Sequence, residues 1–331
     1  VMVFRAFAAV VVVLGAFVAA DAHNAASEVR IQPSSVGYLD QFGYSVSIDG
    51  DVLVVGSPEH RLNSKTTGAA FVYRWSGSEW TLEQEIGTGL PSNDRFGHAV
   101  VIDGDLVAVG VQFGTATAFL GGSVHLFRYA SGEWIEEAVL GAPDGAQNDN
   151  FGRSIALDGE TLVVGAPQDD DQGTVSGSTY VYRRIGEQWL FESKLLPPDG
   201  EAWDFFGESL SLDGDTLVVG QSGDDDVGED AGTAYVYRRQ SMGWNLVQKL
   251  YGHDLESNHA FGRSVFVRGS TVIVGAIGAN DLKGAAYVFR STGTEWTEVQ
   301  KLVAVDGVVG DFFGQSVAMV EDVLVVGAPH L

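Results

Sequence analysis

The apolar residues of this chain fall into short runs of two kinds. Residues 52–55 (VLVV) are apolar without interruption, whereas residues 45–48 (SVSI) alternate polar with apolar, the period of a strand with one wet face. Asp49-Gly50 stands between them. Asp-Gly between two such runs signals a two-residue hairpin, because both central residues of a type I′ turn need positive φ. The same dipeptide recurs at Asp103-Gly104, Asp158-Gly159 and Asp213-Gly214. Residues 69–74 (AAFVYR) predict a third strand and residues 79–86 (EWTLEQEI) a fourth, with Trp80, Leu82 and Ile86 on one face and charges on the other. The second strand is thus expected inside and the fourth at the rim.

The pattern repeats. Phe-Gly pairs begin at Phe42, Phe96, Phe151, Phe206, Phe261 and Phe313, spaced 54, 55, 55, 55 and 52 residues apart. Fourteen residues after each Phe, a glycine closes the apolar run: Gly56, Gly110, Gly165, Gly220, Gly275 and Gly327. The five complete units also carry an Arg after the third strand (Arg74, Arg128, Arg183, Arg238, Arg290) and a Trp six residues later (Trp80, Trp134, Trp189, Trp244, Trp296). A four-stranded unit repeated at this length predicts an all-β fold, a β-propeller of four-stranded blades, in which radial packing buries each sheet against its neighbours. An extended β-solenoid is the alternative, but solenoid turns are shorter and lack an aromatic marker between repeats. With five complete repeats and partial ones here, the parent would have six or seven blades. The repeated Phe is expected where blades meet, and the Trp in inter-blade or edge packing rather than as a sugar-stacking set.

At these residues the chain resembles the FG-GAP repeat family, best known from the N-terminal β-propeller of integrin alpha subunits. The motif is Phe-Gly, a strand pair, then Gly-Ala-Pro. It is intact as Phe151-Gly152 with Gly165-Ala166-Pro167 and as Phe313-Gly314 with Gly327-Ala328-Pro329, and degraded to GSP, GVQ, GQS or GAI elsewhere. The resemblance runs from about residue 29 to the C-terminus and implies the propeller; function follows less directly, because propellers host unrelated activities. One departure matters. Integrin-like repeats often place an Asp/Asn-rich calcium loop between strands one and two. Here that link is Asp-Gly four times, then Arg268-Gly269 and Glu321-Asp322. A two-residue turn cannot supply the six to eight oxygens that Ca2+ takes, so integrin-type calcium sites are expected to be absent and no cofactor is required. Residues 28–33 read as a fourth strand ahead of the first Phe-Gly, and the chain stops two strands into its sixth unit, which marks the propeller (residues 23–331) as C-terminally incomplete.

Residues 1–22 stand outside the repeat. Arg5 supplies a basic start, residues 6–20 are an unbroken apolar run of 15, and Ala20-Asp21-Ala22 has the small-x-small form of a cleavage site. This is the pattern of a secretory signal peptide, with a mature start at His23. An uncleaved signal anchor is the alternative, although the run is short of the ~20 residues a spanning helix needs. The mature segment is therefore expected to be secreted or at the cell surface, without membrane insertion.

Composition narrows the functions further. The chain has 331 residues, 44 acidic and 19 basic side chains and a net charge of −25, a surface that repels nucleic acid. It has no cysteine, which excludes disulfide staples, zinc-thiolate and iron–sulfur sites and thiol catalysis.

The candidate chemistry lies in the loops after strand two. Asp169, Asp170 and Asp171 occupy one, and Asp224, Asp225 and Asp226 the next. As exposed turn residues they keep an acidic protein soluble; as a cluster they are candidate ligands for a weakly held Ca2+ or contacts for a cationic partner. Asp40, Asp94, Asp149, Asp204 and Asp311 each precede Phe-Gly by two residues, which suits Asx-turn carboxylates accepting backbone N–H bonds. The seven histidines keep no phase, and no nucleophile elbow, phosphate loop or zinc-helix motif is present. The expected function is therefore a non-catalytic, exported protein-binding or cell-adhesion module, taking an extracellular protein or glycan through one face. That face gathers loops 57–68, 111–123, 166–178, 221–233 and 276–285. The alternatives are the propeller portion of a secreted enzyme (a polysaccharide lyase or lipid hydrolase) and a lectin-like propeller. Oligomeric state is left open.

Overall fold

The computed structural model describes residues 2–5, 31–37, 39–62, 65–87, 94–241, 243–321 and 323–329. Among these, the chain forms five four-stranded antiparallel sheets, each built from consecutive strands in chain order. The first is Ser45–Asp49, Val52–Ser57, Ala69–Trp75 and Trp80–Ile86. The second is Phe96–Asp103, Leu106–Val111, Ser123–Ala130 and Glu133–Leu140. The third is Ser154–Asp158, Thr161–Ala166, Ser178–Ile185 and Gln188–Leu195. The fourth is Ser209–Asp213, Thr216–Gln221, Thr233–Gln240 and Gly243–Leu250, and the fifth Phe261–Arg268, Thr271–Ala276, Ala285–Ser291 and Trp296–Leu302. A sixth sheet holds Ser316–Val320 and Val323–Ala328. Met2–Arg5 runs parallel to Val325–Ala328, where the other sheets have an antiparallel third strand. Most of the leader, residues 6–22, lies outside the described residues. Residues 31–33 are not a strand, a correction to the expected fourth strand over 28–33, whose first three residues also lie outside the described ones. Ile31 instead packs with Val36 and Phe42 against the first sheet.

The second strands of the first five sheets are buried along their whole length, as their unbroken apolar runs require. Successive first strands lie side by side. From Phe96 on, each Phe of a Phe-Gly pair wedges between two sheets. Phe151, fully buried, sits edge-on to Tyr180 and Tyr182 of the third sheet at 5.4 and 6.1 Å and shares a core with Leu106, Ala108, Val124 and Leu126 of the second.

The Phe-Gly glycine and the later strand-two glycine are two halves of one contact. A Cβ on Gly165 would stand 2.0 Å from the Gly207 carbonyl oxygen of the next sheet, and Ser154 Oγ donates to that same oxygen at 2.6 Å. The Asp-Gly turns are joined as well. Asp49 Oδ2 accepts the N–H of Gly104 (2.8 Å), and Asp103 that of Gly159 (2.6 Å), each turn carboxylate reaching the next sheet's turn. At the rim, Gln84 brackets the Trp134 backbone, accepting its N–H at 2.8 Å and donating to its carbonyl at 2.9 Å. The Trp134 and Trp189 indole N–H groups donate to Glu83 and Glu137 of the preceding sheets. The repeated Trp therefore seals a seam between sheets.

Candidate functional site

Each unit sends two connections to the end where Phe-Gly lies: the loop after strand two and the link from strand four to the next sheet. Backbone hydrogen bonds tie them together, as from Trp203 N to Thr174 O (2.8 Å) and from Asn258 N to Glu229 O (2.7 Å). The candidate loops thus share one face with the inter-sheet links.

On that face the acidic triplets are not uniformly exposed, which corrects the sequence expectation. Asp169 and Asp224 are buried, whereas Asp170, Asp171, Asp225 and Asp226 are exposed. Lys249 reaches in from the fourth strand of its sheet and donates to Asp199, Asp224 and Asp226 at 2.8, 2.7 and 2.7 Å. Lys194 does the same one sheet earlier, pairing with Asp144 (2.9 Å), Asp169 (3.0 Å) and Asp171 (2.6 Å). A tyrosine completes each cluster: Tyr180 OH donates to Asp144 and Asp169, and Tyr235 OH to Asp199. Asp170 and Asp225 turn away and accept backbone N–H groups of their own loops, Val175 and Asp230. An ammonium therefore sits where a cation would be held. Burial works against charge on Lys249, but hydrogen bonds to Asp199, Asp224 and Asp226 outweigh it and hold its pKa above the usual value. Burial pushes the Asp224 carboxyl up despite Lys249. Among the described residues no group of three carboxylates or imidazoles is placed to hold a metal ion. In the first unit His60 replaces the loop Asp, pairing with Asp40 (2.9 Å) and Glu85 (3.2 Å).

Sequence reading missed these lysines. Their signal was present: Lys194, Lys249 and Lys301 each follow the rim Trp by five residues, and Lys301 likewise pairs with Asp254 at 2.6 Å.

The Asp two residues before Phe-Gly accepts a backbone N–H, from three residues upstream: Gly37 to Asp40, Ala146 to Asp149, Glu201 to Asp204 and Val308 to Asp311, at 2.6–3.0 Å. These four carboxyls and that of Asp94 are all buried. Burial pushes Asp204 up to about 7, with the charges of Asp224 and Asp225 adding to it and the Glu201 N–H opposing. Between the ordinary carboxyl range and pH ~7, the folded state then holds a proton that the unfolded chain releases, so this group lowers stability as pH rises through that window. Asp204→Asn keeps the acceptor and removes the charge. It is expected to melt above the wild type at pH 8, with the difference closing by about pH 4. Thermal melts of both proteins across that range check this.

The residue before each Phe-Gly pair stands at positive φ (Gln41, Arg95, Asn150, Phe205, Ala260 and Phe312, 50–61°), turning the chain sharply into the first strand. The residue after each pair points to where first strands begin. There Arg153 donates to His98 Nε2 at 2.6 Å, and Tyr44 packs on His98 at 4.8 Å between ring centres. Arg263 pairs with Glu208, which also accepts from Ser222. Burial and the nearby charges of Arg153 and Arg95 push His98 down to about 3, so it is neutral. Arg95 pairs with Glu59 (3.1 Å) and donates to Gln112 (3.1 Å). Three arginines thus gather here in a chain of net charge −25.

Outward on the same face stand Phe119, Trp203, Val227, Leu282, Val308 and Val309, all exposed. No helix among the described residues is long and apolar enough to cross a membrane.

The family model described as the FG-GAP repeat matches five segments: residues 26–73, 134–182, 189–237, 244–289 and 296–330. Together they cover more than half of the chain. Each of the middle segments begins at a rim Trp or beside it and ends in strand three of the next sheet, so the repeat straddles the seam. The unit around Phe96 is unmatched, yet it builds the same sheet. No curated protein matches the sequence.

Proposed function

The chain belongs to the FG-GAP repeat family, and on that premise we propose that it is a non-catalytic, exported β-propeller that binds an extracellular protein through its loop face. The observation that carries this reading is where the exposed apolar side chains fall. Phe119, Val227 and Leu282 stand in loops after strand two, and Trp203, Val308 and Val309 in links after strand four. Monomeric proteins rarely spend apolar surface in one place unless it meets a partner. The opposite end carries the Asp-Gly turns, and its exposed apolar side chains, Ile48, Ile185, Val320 and Val323, belong to strand ends rather than to loops. Propeller closure is supported by the side-by-side first strands. Export rests on the leader-like residues 1–22. An acid–base enzyme draws less support, because the loop carboxylates are engaged by Lys194 and Lys249. Any calcium held by Asp169–Asp171 or Asp224–Asp226 would have to displace those ammonium groups.

Substituting Phe119, Trp203 and Val309 together with Ser is expected to weaken capture of an extracellular partner at least tenfold, since interface aromatics carry about 2 kcal/mol or more each. The melting temperature should stay within about 2 °C of wild type, as exposed changes rarely move stability. Affinity capture from conditioned medium, with an Asp105→Asn variant at the opposite end as control, measures both. Equal capture by all three proteins would place the binding surface elsewhere.

A further inference from the structure

A pocket of about 160 Å³ opens on the loop face where the second strands of sheets two and three end and the first strands of sheets three and four begin. Asn150, Arg153, Pro167, Phe205 and Glu208 line it. Two of its polar groups are left incomplete by the protein itself. Asn150 is buried to 4% exposure, and its side-chain Oδ1 has no hydrogen-bond partner. A buried acceptor without a donor is unfavourable, and Asn150 lines the pocket, so its carboxamide is where a ligand's polar group would be received. Arg153 makes no ion pair among the described residues; its contact is the uncharged His98 ring. Arg153 differs in this from Arg95 and Arg263 beside it, which both have a carboxylate. Glu208 is already engaged by Arg263 and Ser222, so it does not cancel Arg153.

The rest of the lining is Phe205 and Pro167 together with the amides of Gln112 and Gln168. Phe205 supplies an aromatic ring to it. Pro167 adds apolar surface to the lining. The pocket is well below the 300–1,000 Å³ of drug-sized sites, which limits the occupant to about one ring.

We propose that this pocket binds an acidic monosaccharide unit, a uronic acid, with its carboxylate on Arg153, a ring hydroxyl on the Asn150 carboxamide and its C–H face against Phe205. A hydroxyl both donates and accepts, so it matches a carboxamide edge in either orientation. A guanidinium matches a carboxylate with two parallel N–H donors. A flat aromatic ring beside polar groups suits the mixed faces of a sugar. This inference does not depend on the protein-binding reading, because it uses the floor of the loop face rather than its apolar crown.

The test is ligand-observed NMR on the whole protein with D-glucuronate, D-glucose and acetate as separate probes. D-Glucuronate is expected to bind at least about tenfold more tightly than either of the others, since each lacks one half of the match. Arg153→Gln should lower glucuronate affinity about tenfold or more, with an unchanged melting temperature showing that the variant is folded. Acetate binding as tightly as glucuronate would reduce the site to a simple anion contact and overturn the proposal. So would glucose binding as tightly, or a folded Arg153→Gln protein that binds glucuronate unchanged. Should that variant fail to fold, the three-probe comparison on the wild type decides alone, and no glucuronate binding at 20 mM, about twenty times a Kd of ~1 mM, overturns the proposal.

Discussion

Truncating Phe206 to alanine is expected to cost about 3–5 kcal/mol, close to the upper end for a single core substitution. The ring is fully buried between the third and fourth sheets, edge-on to Tyr235 and Tyr237 at 5.4 and 6.3 Å. Leu217 and Val219 of its own sheet and Val163 and Val181 of the one before share the same core. Removing it opens a cavity on a seam, where both neighbours are held by strands and cannot collapse inward. Gly177→Ala attacks the same contact from the other side. Its φ is +84°, and a Cβ would lie 2.2 Å from the Phe206 carbonyl oxygen, so the backbone at the seam must separate. Because both changes break one interface, their costs are expected to fall short of additive in the double variant. Urea unfolding midpoints of the two singles and the double measure this. A cost below about 1 kcal/mol for Phe206→Ala would mean that the repeated Phe is not what joins the sheets.

How much of this was legible in advance follows from the range of each signal. Asp49-Gly50 and the runs beside it act within a few residues, so the hairpins could be placed from sequence; each forms, one residue later than read. The Asp is paired in the strand, the turn lies at Gly50-Asp51, Gly104-Asp105, Gly159-Glu160 and Gly214-Asp215, and only the glycine stands at positive φ instead of both turn residues. Phe151 and Trp134 were legible as seam residues because only a repeated packing role keeps a large side chain in phase. Gly177 and its counterparts Gly68, Gly122, Gly232 and Gly284 were not noticed. Each is needed for a bridge to the Phe of the next sheet, a contact that no local pattern reveals. The Asp triplets were misread for the same reason. A run of three Asp looks like an exposed turn, and for Asp225 it is one. The burial of Asp224 is imposed by Lys249, 25 residues further on. The residues lining the Asn150 pocket come from two links and two strand ends, and one repeat viewed alone shows none of that convergence.

The lysines give the largest electrostatic prediction. Lys249→Met is expected to cost about 3–5 kcal/mol at neutral pH in the presence of chelator, the usual penalty for breaking a buried pair by removing one partner. Both side chains are deeply placed: Lys249 is 13% exposed and Asp224 4%. Without the ammonium, Asp224 is left buried with Asp199 and Asp226 beside it, and three carboxylates repel one another. Its pKa is already raised by burial and should rise further, so the variant recovers stability as pH falls and the carboxyl takes a proton. A divalent cation offers the other remedy. Millimolar Ca2+ should therefore raise the melting temperature of Lys249→Met while leaving the wild type within about 1 °C, with the gain following RT ln(1 + [L]/Kd). The measurement is a pair of melts for each protein, with excess chelator and with calcium. A wild-type shift above about 10 °C would mean that Ca2+ displaces Lys249 and that the acidic loops are cation sites in their own right. An unresponsive variant would mean instead that the three carboxylates move apart once the lysine is gone, and that the cluster is held together by Lys249 rather than built around it.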